Sequence, residues 1–372
     1  MNVAPKPSAR ADRFNRILVV CTRQIGDVLL TTPLIHAARE RWPDAVIDVL
    51  GFGGTLGMLR GNPDVSALIE VPAGSGWWAS RRLIASLWRR YDLALIAQYS
   101  DRAHLYGFAA ARRRAGQVTD ERKSWWKRAL LEHRVRMNDD QSHSVVEKLR
   151  LLAPWVEPQG ARLVAPPAAP LPADFAALLR PPYAVLQAPA AVSYKEWPLA
   201  HWHELVAAIV ARGVQVVLTG APSPGDRAIV NSIRLGFAGD RVLAAAGKLD
   251  LDQVGTLLRG AAFYVGGDTS ITHLAAACEV PLVALFGPIN PRYFGPWPPS
   301  PTLDVPYVAH ALVQRVGTIA VLQGTPACVP CDRAGCEDRN DSASVCLQTM
   351  APARVIAEVD RILVRARGAE GQ

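Results

Sequence analysis

The 372-residue sequence predicts an α/β protein built from two facing, doubly wound, Rossmann-like domains, on three observations. Short continuous apolar runs alternate with stretches of helical apolar spacing, the pattern of parallel strands buried on both faces and joined by crossover helices. The alternation stops at a Pro- and Ala-rich stretch near the middle of the chain and then starts again. The chain is also too long for one hydrophobic core, since domains usually run to roughly 100 to 200 residues.

Residues 1–15 are polar, carry Lys6, Arg10 and Arg13, and lack the apolar stretch of a secretory signal, so a flexible arm is expected. The run from Arg16 to Cys21 reads as a first buried strand. Residues 28–41 then show helical spacing at Leu30, Leu34, Ala37 and Ala38, ended by Trp42-Pro43-Asp44. Ala45 to Phe52, Ala67 to Val71 and Leu93 to Ala97 are further strands of a first domain over 16–164. Residues 165–182 hold Pro166, Pro167, Pro170, Pro172, Pro181 and Pro182 and suit a stiff linker. In a second domain over 183–350, Tyr183 to Ala188 and Val214 to Thr219 read as strands around a helix from Leu199 to Arg212. Phe263 to Val265 and Pro281 to Phe286 flank another helix. The segment 351–372 is a last helix, apolar at Val355, Ile356, Val359, Ile362 and Leu363, expected to pack back toward the first domain. Facing sheets of this kind place the carboxyl ends of their strands on one cleft, where ligands bind.

Half the residues are hydrophobic and a fifth are charged, a globular balance that excludes a disordered chain. No run of about 18 uncharged apolar residues is present, so no spanning helix is expected and the protein is read as cytoplasmic. Net charge is +8, and much of it falls between Arg102 and Arg136, where ten Lys and Arg stand against three Asp and Glu. Arg112, Arg113, Arg114, Lys123, Lys127 and Arg128, with Trp125 and Trp126 among them, form a candidate surface for an anionic acceptor glycan or the inner face of the cytoplasmic membrane. The plainer alternative is a solvated surface of an Arg-rich protein. Nucleic acid is not expected, because no nucleic-acid-binding module accompanies the charge.

Three loops carry the chemistry. Arg23-Gln24-Ile25-Gly26-Asp27-Val28 lies between the first strand and the first helix. There Gly26 permits close backbone approach to a ligand, and Asp27 is either a helix cap or a catalytic carboxylate. The stretch from Gln187 to Pro198 follows the first strand of the second domain; Ser193 and Lys195 within it suit a pyrophosphate, whose leaving-group charge an ammonium neutralises. The third, Gly266-Gly267-Asp268-Thr269-Ser270, turns from a strand into an Ala-rich helix. Free N–H groups and roughly half a positive charge at such a helix start favour phosphate. His273 one turn later is a ligand contact or a satisfied core histidine. A dinucleotide fingerprint is rejected at Gly51-Phe52-Gly53-Gly54-Thr55-Leu56-Gly57, where the glycine offsets are wrong and the second strand precedes the loop.

The opening from Ile17 to Pro33, with Trp42-Pro43-Asp44 and the strand to Leu50, resembles the family 9 glycosyltransferases, and Gly53 to Asp64 is similar to their heptosyltransferase III branch. The resemblance covers about residues 16–366. It implies a GT-B fold, an ADP-activated heptose donor, a lipopolysaccharide-core acceptor and an inverting mechanism. Asp27 inherits the general-base role, Lys195 a donor-phosphate contact, Asp268 a place near the sugar, and Thr269 and Ser270 the phosphates. Gln187, Gly247, Lys248 and Gly267 fall in the corresponding donor loops. Where many relatives place a ribose-binding Glu, this sequence has Pro222, Ser223 and Pro224, leaving Asp226 as the substitute.

Of six cysteines, Cys328, Cys331, Cys336 and Cys346 cluster in one loop, 328–346, with a spacing that suits structural zinc or iron, while reduced thiols without metal are the alternative. The sequence is read as containing no Asp-x-Asp motif for Mg²⁺, so charge neutralisation is expected from protein groups, no cofactor is required and activity is expected to survive chelation. A glycosyltransferase with another nucleotide sugar or acceptor, a nucleotide-sugar epimerase and a non-catalytic glycan- or membrane-binding protein are the competing readings; the epimerase makes product without acceptor, and the binding protein gains no heat stability from donor.

Overall fold

The computed structural model describes residues 12–72, 77–119, 124–137, 142–158, 160–299 and 302–370, without the side chains of 77–80 and 369–370. The chain divides into two compact units, Met1–Val164 with Ser300–Asp304, and Ala165–Pro299 with Val305–Gln372.

The first unit holds β1 (Arg16–Val20), β2 (Val46–Phe52), β3 (Ala67–Val71), β4 (Tyr91–Ile96), β5 (Ala111–Val118) and β6 (His133–Arg136). Its helices are α1 (Ile25–Leu29), α2 (Thr32–Arg41), α3 (Trp77–Leu87), α4 (Asp101–Ala110), α5 (Trp125–Leu130) and α6 (Ser144–Leu149). The sheet runs β3-β2-β1-β4-β5-β6 with every pair parallel. Strands are added outward from β1 in one direction and then from β4 in the other, so the order reverses between these two. Leu18, Val20, Leu50, Ala94, Ile96 and Tyr106 close the core on one face.

Two local departures have clear causes. The helix expected over 28–41 is two helices, because Pro33 sits in the first turn of α2. Pro33 has no N–H to give and its ring would meet the carbonyl of Leu29. The hydroxyl of Thr32 donates to that carbonyl instead, at 2.7 Å. The basic segment contains β5 and β6, which the charge pattern hid. Arg113 lies over the rings of Phe14 and Trp155 and Arg114 over Phe108, so long aliphatic stems cover apolar surface while the charged ends find partners.

The second unit holds β7 (Tyr183–Gln187), β8 (Gln215–Thr219), β9 (Val242–Ala244), β10 (Phe263–Gly267), β11 (Leu282–Phe286), β12 (Val313–Val316) and β13 (Ile319–Gln323). The helices are α7 (Ala173–Ala176), α8 (Leu199–Ala211), α9 (Pro224–Leu235), α10 (Leu251–Arg259), α11 (Ser270–Ala277), α12 (Pro291–Phe294), α13 (Val345–Gln348) and α14 (Pro352–Glu370). Strand order is β12-β13-β11-β10-β7-β8-β9, parallel except for the β12–β13 edge hairpin, and it reverses between β7 and β10.

The Pro-rich stretch is not a free spacer. Thr256 of α10 bonds both the N–H and the carbonyl of Ala169, at 2.9 and 2.8 Å, and Gln253 and Arg259 donate to the carbonyls of Pro170 and Pro166. The terminal helix also departs from expectation: Val355 and Val359 are buried in the second unit's own core, and Asp360 pairs with Arg212 at the end of α8.

Candidate functional site

In the first unit the site is built where the strand order reverses. β1 ends at Val20, paired with Ile96 at the carboxyl end of β4, and α1 begins at Ile25. Gln98 ties this region together, donating to the hydroxyls of Thr22 and Ser100 at 2.7 and 2.6 Å. The cap of α1 is Gln24, not Asp27, so the carboxylate of Asp27 is not spent on capping. That side chain is 15% exposed and stands between two cations. Arg23 Nε is 3.4 Å from Oδ2, and Lys148 Nζ is 4.0 Å from Oδ1. The backbone beneath is fixed by the Thr31 hydroxyl, which donates to the carbonyl of Asp27 at 2.7 Å. Burial, and then the neighbouring charge of Asp27, push the Cys21 thiol up to about 11, so it is an uncharged wall of the site. Gly26 lies within α1 next to Asp27.

In the second unit the predicted donor residues lie in the segments that follow β7, β8, β9 and β10. Lys195 Nζ is 2.6 Å from Asp268 Oδ2. The contact is an ion pair whose angles fall short of a hydrogen bond on that oxygen. Asp268, Thr269 and Ser270 are half-buried in the turn between β10 and α11. The turn is braced from below: the hydroxyl of Thr272 donates to the carbonyl of Gly267 at 2.5 Å and lies 2.9 Å from the Tyr264 hydroxyl. Gln187 is buried and engaged, accepting from Thr219 at 2.7 Å and donating to the carbonyl of Pro189 at 3.0 Å, which makes it a tie between β7 and β8. Gly247, with φ +66°, accommodates close backbone approach, because a Cβ there would come within 2.7 Å of Pro222 Cα. Lys248 beside it is exposed.

Asp226 has both oxygens engaged at the start of α9, one by the N–H of Ala221 at 2.8 Å and one by the Ser223 hydroxyl at 2.6 Å. Its charge, after burial, helps hold the carboxyl of Glu196 above its ordinary range, which places a second acid toward this loop that the sequence did not single out. The loop carrying Ser193 and Lys195 is anchored to the cysteine-rich segment. Ser193 N–H donates to the carbonyl of Asn340 at 3.1 Å, the Ser344 hydroxyl to that of Tyr194 at 2.7 Å, and Trp197 Nε1 to that of Met350 at 2.9 Å.

Glycosyltransferase family 9 (heptosyltransferase) is the family whose sequence profile matches, over residues 80–304. The chain belongs to this family. Among family 9 enzymes it is 32% identical over 288 residues to the lipopolysaccharide heptosyltransferase 3 of Escherichia coli, a match covering 73% of this chain and 83% of that one. The fold matches the E. coli ADP-heptose lipopolysaccharide heptosyltransferase II structure with a TM-score of 0.70 at 22% identity, over 95% of this chain and 99% of that one. A family 9 glycosyltransferase from Veillonella parvula gives 0.72 at 17% identity, over 95% and 98%. The two Rossmann-like domains expected from the sequence are thus of the GT-B kind that family 9 structures share.

The basic residues of this family 9 chain are largely used within the first unit. Arg113 is bound by Glu132, at 2.7 Å, and by Asp12, whose carboxyl it holds below the usual range. Arg114 donates to the carbonyls of Leu130 and Ala111. Lys127 corrects the surface reading outright: it is buried, donating to the carbonyl of Tyr99 and paired with Asp101, both at 2.6 Å. Arg112 is exposed and Arg128 half-buried; Lys123 lies outside the described residues. His273 is buried within α11.

Among the described residues no group of three or more His, Cys, Asp or Glu is arranged to hold a metal, and the four-cysteine loop is no exception. Cys328 and Cys336 are exposed, Cys331 is intermediate and Cys346 is buried. Contrary to the expectation of none, one Asp-x-Asp sequence does exist, Asp250-Leu251-Asp252. It is the cap of α10: Asp250 forms a capping box with Gln253, and Asp252 accepts from the N–H of Gln253. Lys148 and Arg23 are the neighbours of Asp27 that sequence reasoning missed. Arg23 was legible from its spacing of four residues before Asp27, whereas Lys148 sits on α6 with no local pattern to mark it.

Proposed function

We propose that the protein is an inverting heptosyltransferase that moves a heptose from ADP-heptose to a hydroxyl of the lipopolysaccharide inner core. The observation that carries this is the 32% identity to a lipopolysaccharide heptosyltransferase 3 across 73% of the chain. The placement of Asp27 on α1, the helix that follows β1, agrees with it. In this reading the acceptor hydroxyl gives its proton to Asp27 as its oxygen attacks the anomeric carbon, and the bond from that carbon to the diphosphate oxygen breaks. ADP leaves with the electron pair, and Lys195 and the N–H groups of the Thr269–Ser270 turn neutralise its growing charge. Lys195 exchanges its ion pair with Asp268 for the diphosphate, which frees Asp268 for the sugar hydroxyls. Glu196 and Asp226 take the place of the ribose-binding Glu. With the Asp-x-Asp sequence engaged in capping α10, transfer is expected to proceed in EDTA.

The acceptor is membrane-borne, and the exposed Arg102, Arg112, Arg134 and Arg136, with Leu105 and Trp125, are the surface proposed to meet the inner face of the cytoplasmic membrane. Sedimentation with anionic vesicles, lost in high salt, is the expected behaviour. The activity is tested with ADP-heptose and lipopolysaccharide from a strain lacking heptosyltransferase 3. The core should gain the mass of one heptose as ADP appears in equal amount. A changed nucleotide sugar without acceptor would instead identify an epimerase.

A further inference from the structure

We infer that Lys148 is a positioning residue for Asp27, a buried ammonium that fixes the carboxylate in one orientation. The inference rests on the assignment of Asp27 as the base. Lysine is almost never fully buried without a partner, because removing its charge from water is costly. The Lys148 side chain is only 3% exposed. Its Nζ donates to the hydroxyl of Ser144 at 2.6 Å, one turn earlier on α6, so the chain folds back along its own helix and the ammonium has a defined position. From there it faces Asp27 Oδ1 at 4.0 Å.

The two cations beside Asp27 differ in kind. Arg23 is on α1's own approach, one-third exposed, with its guanidinium over the Tyr99 ring at 5.6 Å, and it can move with solvent and substrate. Lys148 belongs to a distant stretch of sequence, on a helix packed against α2, and cannot leave. Asp27 sits on a helix of only five residues, which gives its side chain little support of its own. A general base must lie about 2.6–3.2 Å from the atom whose proton it takes, and a rigid cation facing one carboxylate oxygen favours that constancy. Lys148 does not touch the reacting atoms; it acts through Asp27.

The experiment compares Lys148→Met, Lys148→Ala and Ser144→Ala, each alone and combined with Asp27→Asn. Lys148→Met should lower kcat about 10- to 100-fold while donor and acceptor KM stay within roughly twofold. Added ethylammonium should restore part of the rate of Lys148→Ala. In the Asp27→Asn background the Lys148→Met loss should shrink to less than about twofold, since the two residues act as one unit. Ser144→Ala keeps the ammonium but frees it, and should lower kcat about threefold at unchanged KM, which decides the matter if the Lys148 variants fail to fold. A Lys148→Met enzyme with parental kcat, or one whose loss is undiminished beside Asp27→Asn, overturns the inference. Full turnover by Asp27→Asn alone would instead remove the base assignment.

Discussion

Asp27 in the first unit and Asp268 in the second occupy equivalent places, each just past a buried strand beside a reversal of strand order, yet their partners differ. Asp268 has Lys195 at 2.6 Å, a closed pair. Asp27 has Arg23 at 3.4 Å and Lys148 at 4.0 Å, cations that flank it without forming hydrogen bonds. The difference suits the two roles proposed for these residues. A carboxylate that takes a proton must keep lone pairs open, whereas a lysine awaiting a diphosphate is best stored against an acid it can leave.

Substitution at each end should separate these roles. Asp27→Asn is expected to lower kcat by about 10³-fold, with donor affinity by calorimetry unchanged, the size general-base removal usually has. A parallel loss of donor binding would dissolve the contrast between the units. Lys195→Met should cost about 10²-fold, and unlike the first variant should also weaken ADP binding, because its charge is proposed to meet the diphosphate. Unchanged ADP affinity would mean that the pair with Asp268 is merely structural.

Acid should act first on the first unit. His104 is fully buried on α4, its Nδ1–H donating to the carbonyl of Ser100 at 3.0 Å, and burial, above all, lowers its pKa to about 4. A group depressed in the folded state binds fewer protons than in the unfolded chain, so its stabilisation is full above about pH 6.5 and is lost as pH falls toward 4. A loss of about 2–3 kcal/mol is expected over that window, and His104→Gln should flatten the denaturant-midpoint profile there. The smallest effect is at the helix cap of the second unit: Ser223→Ala removes the bond to the N–H of Asp226 and should cost about 1 kcal/mol in urea unfolding. It also frees one Asp226 oxygen, so a change in donor KM beyond twofold would implicate that loop in holding the nucleotide.

Buried apolar runs such as Ile17 to Val20 and Leu282 to Phe286 were legible as strands because both of their faces are covered. β5 and β6 were not, since an Arg-rich strand reads as surface until Phe14, Trp155, Phe108 and Glu132 are seen around it. The loops of Asp27, Lys195 and Asp268 were legible by local pattern. Lys148 was not, because a contact between α6 and α1 leaves no periodic trace in either segment. The Asp-x-Asp at 250 and 252 shows the converse: a pattern can match a ligand set while its atoms cap a helix.

The thiol-bearing stretch from 328 to 346 is tied to the lysine-bearing loop through Asn340 and Ser344. Two of its sulfurs, at Cys328 and Cys336, face solvent. Alkylating or oxidising them would therefore strain the loop that carries Lys195, and reducing conditions should preserve that loop's geometry.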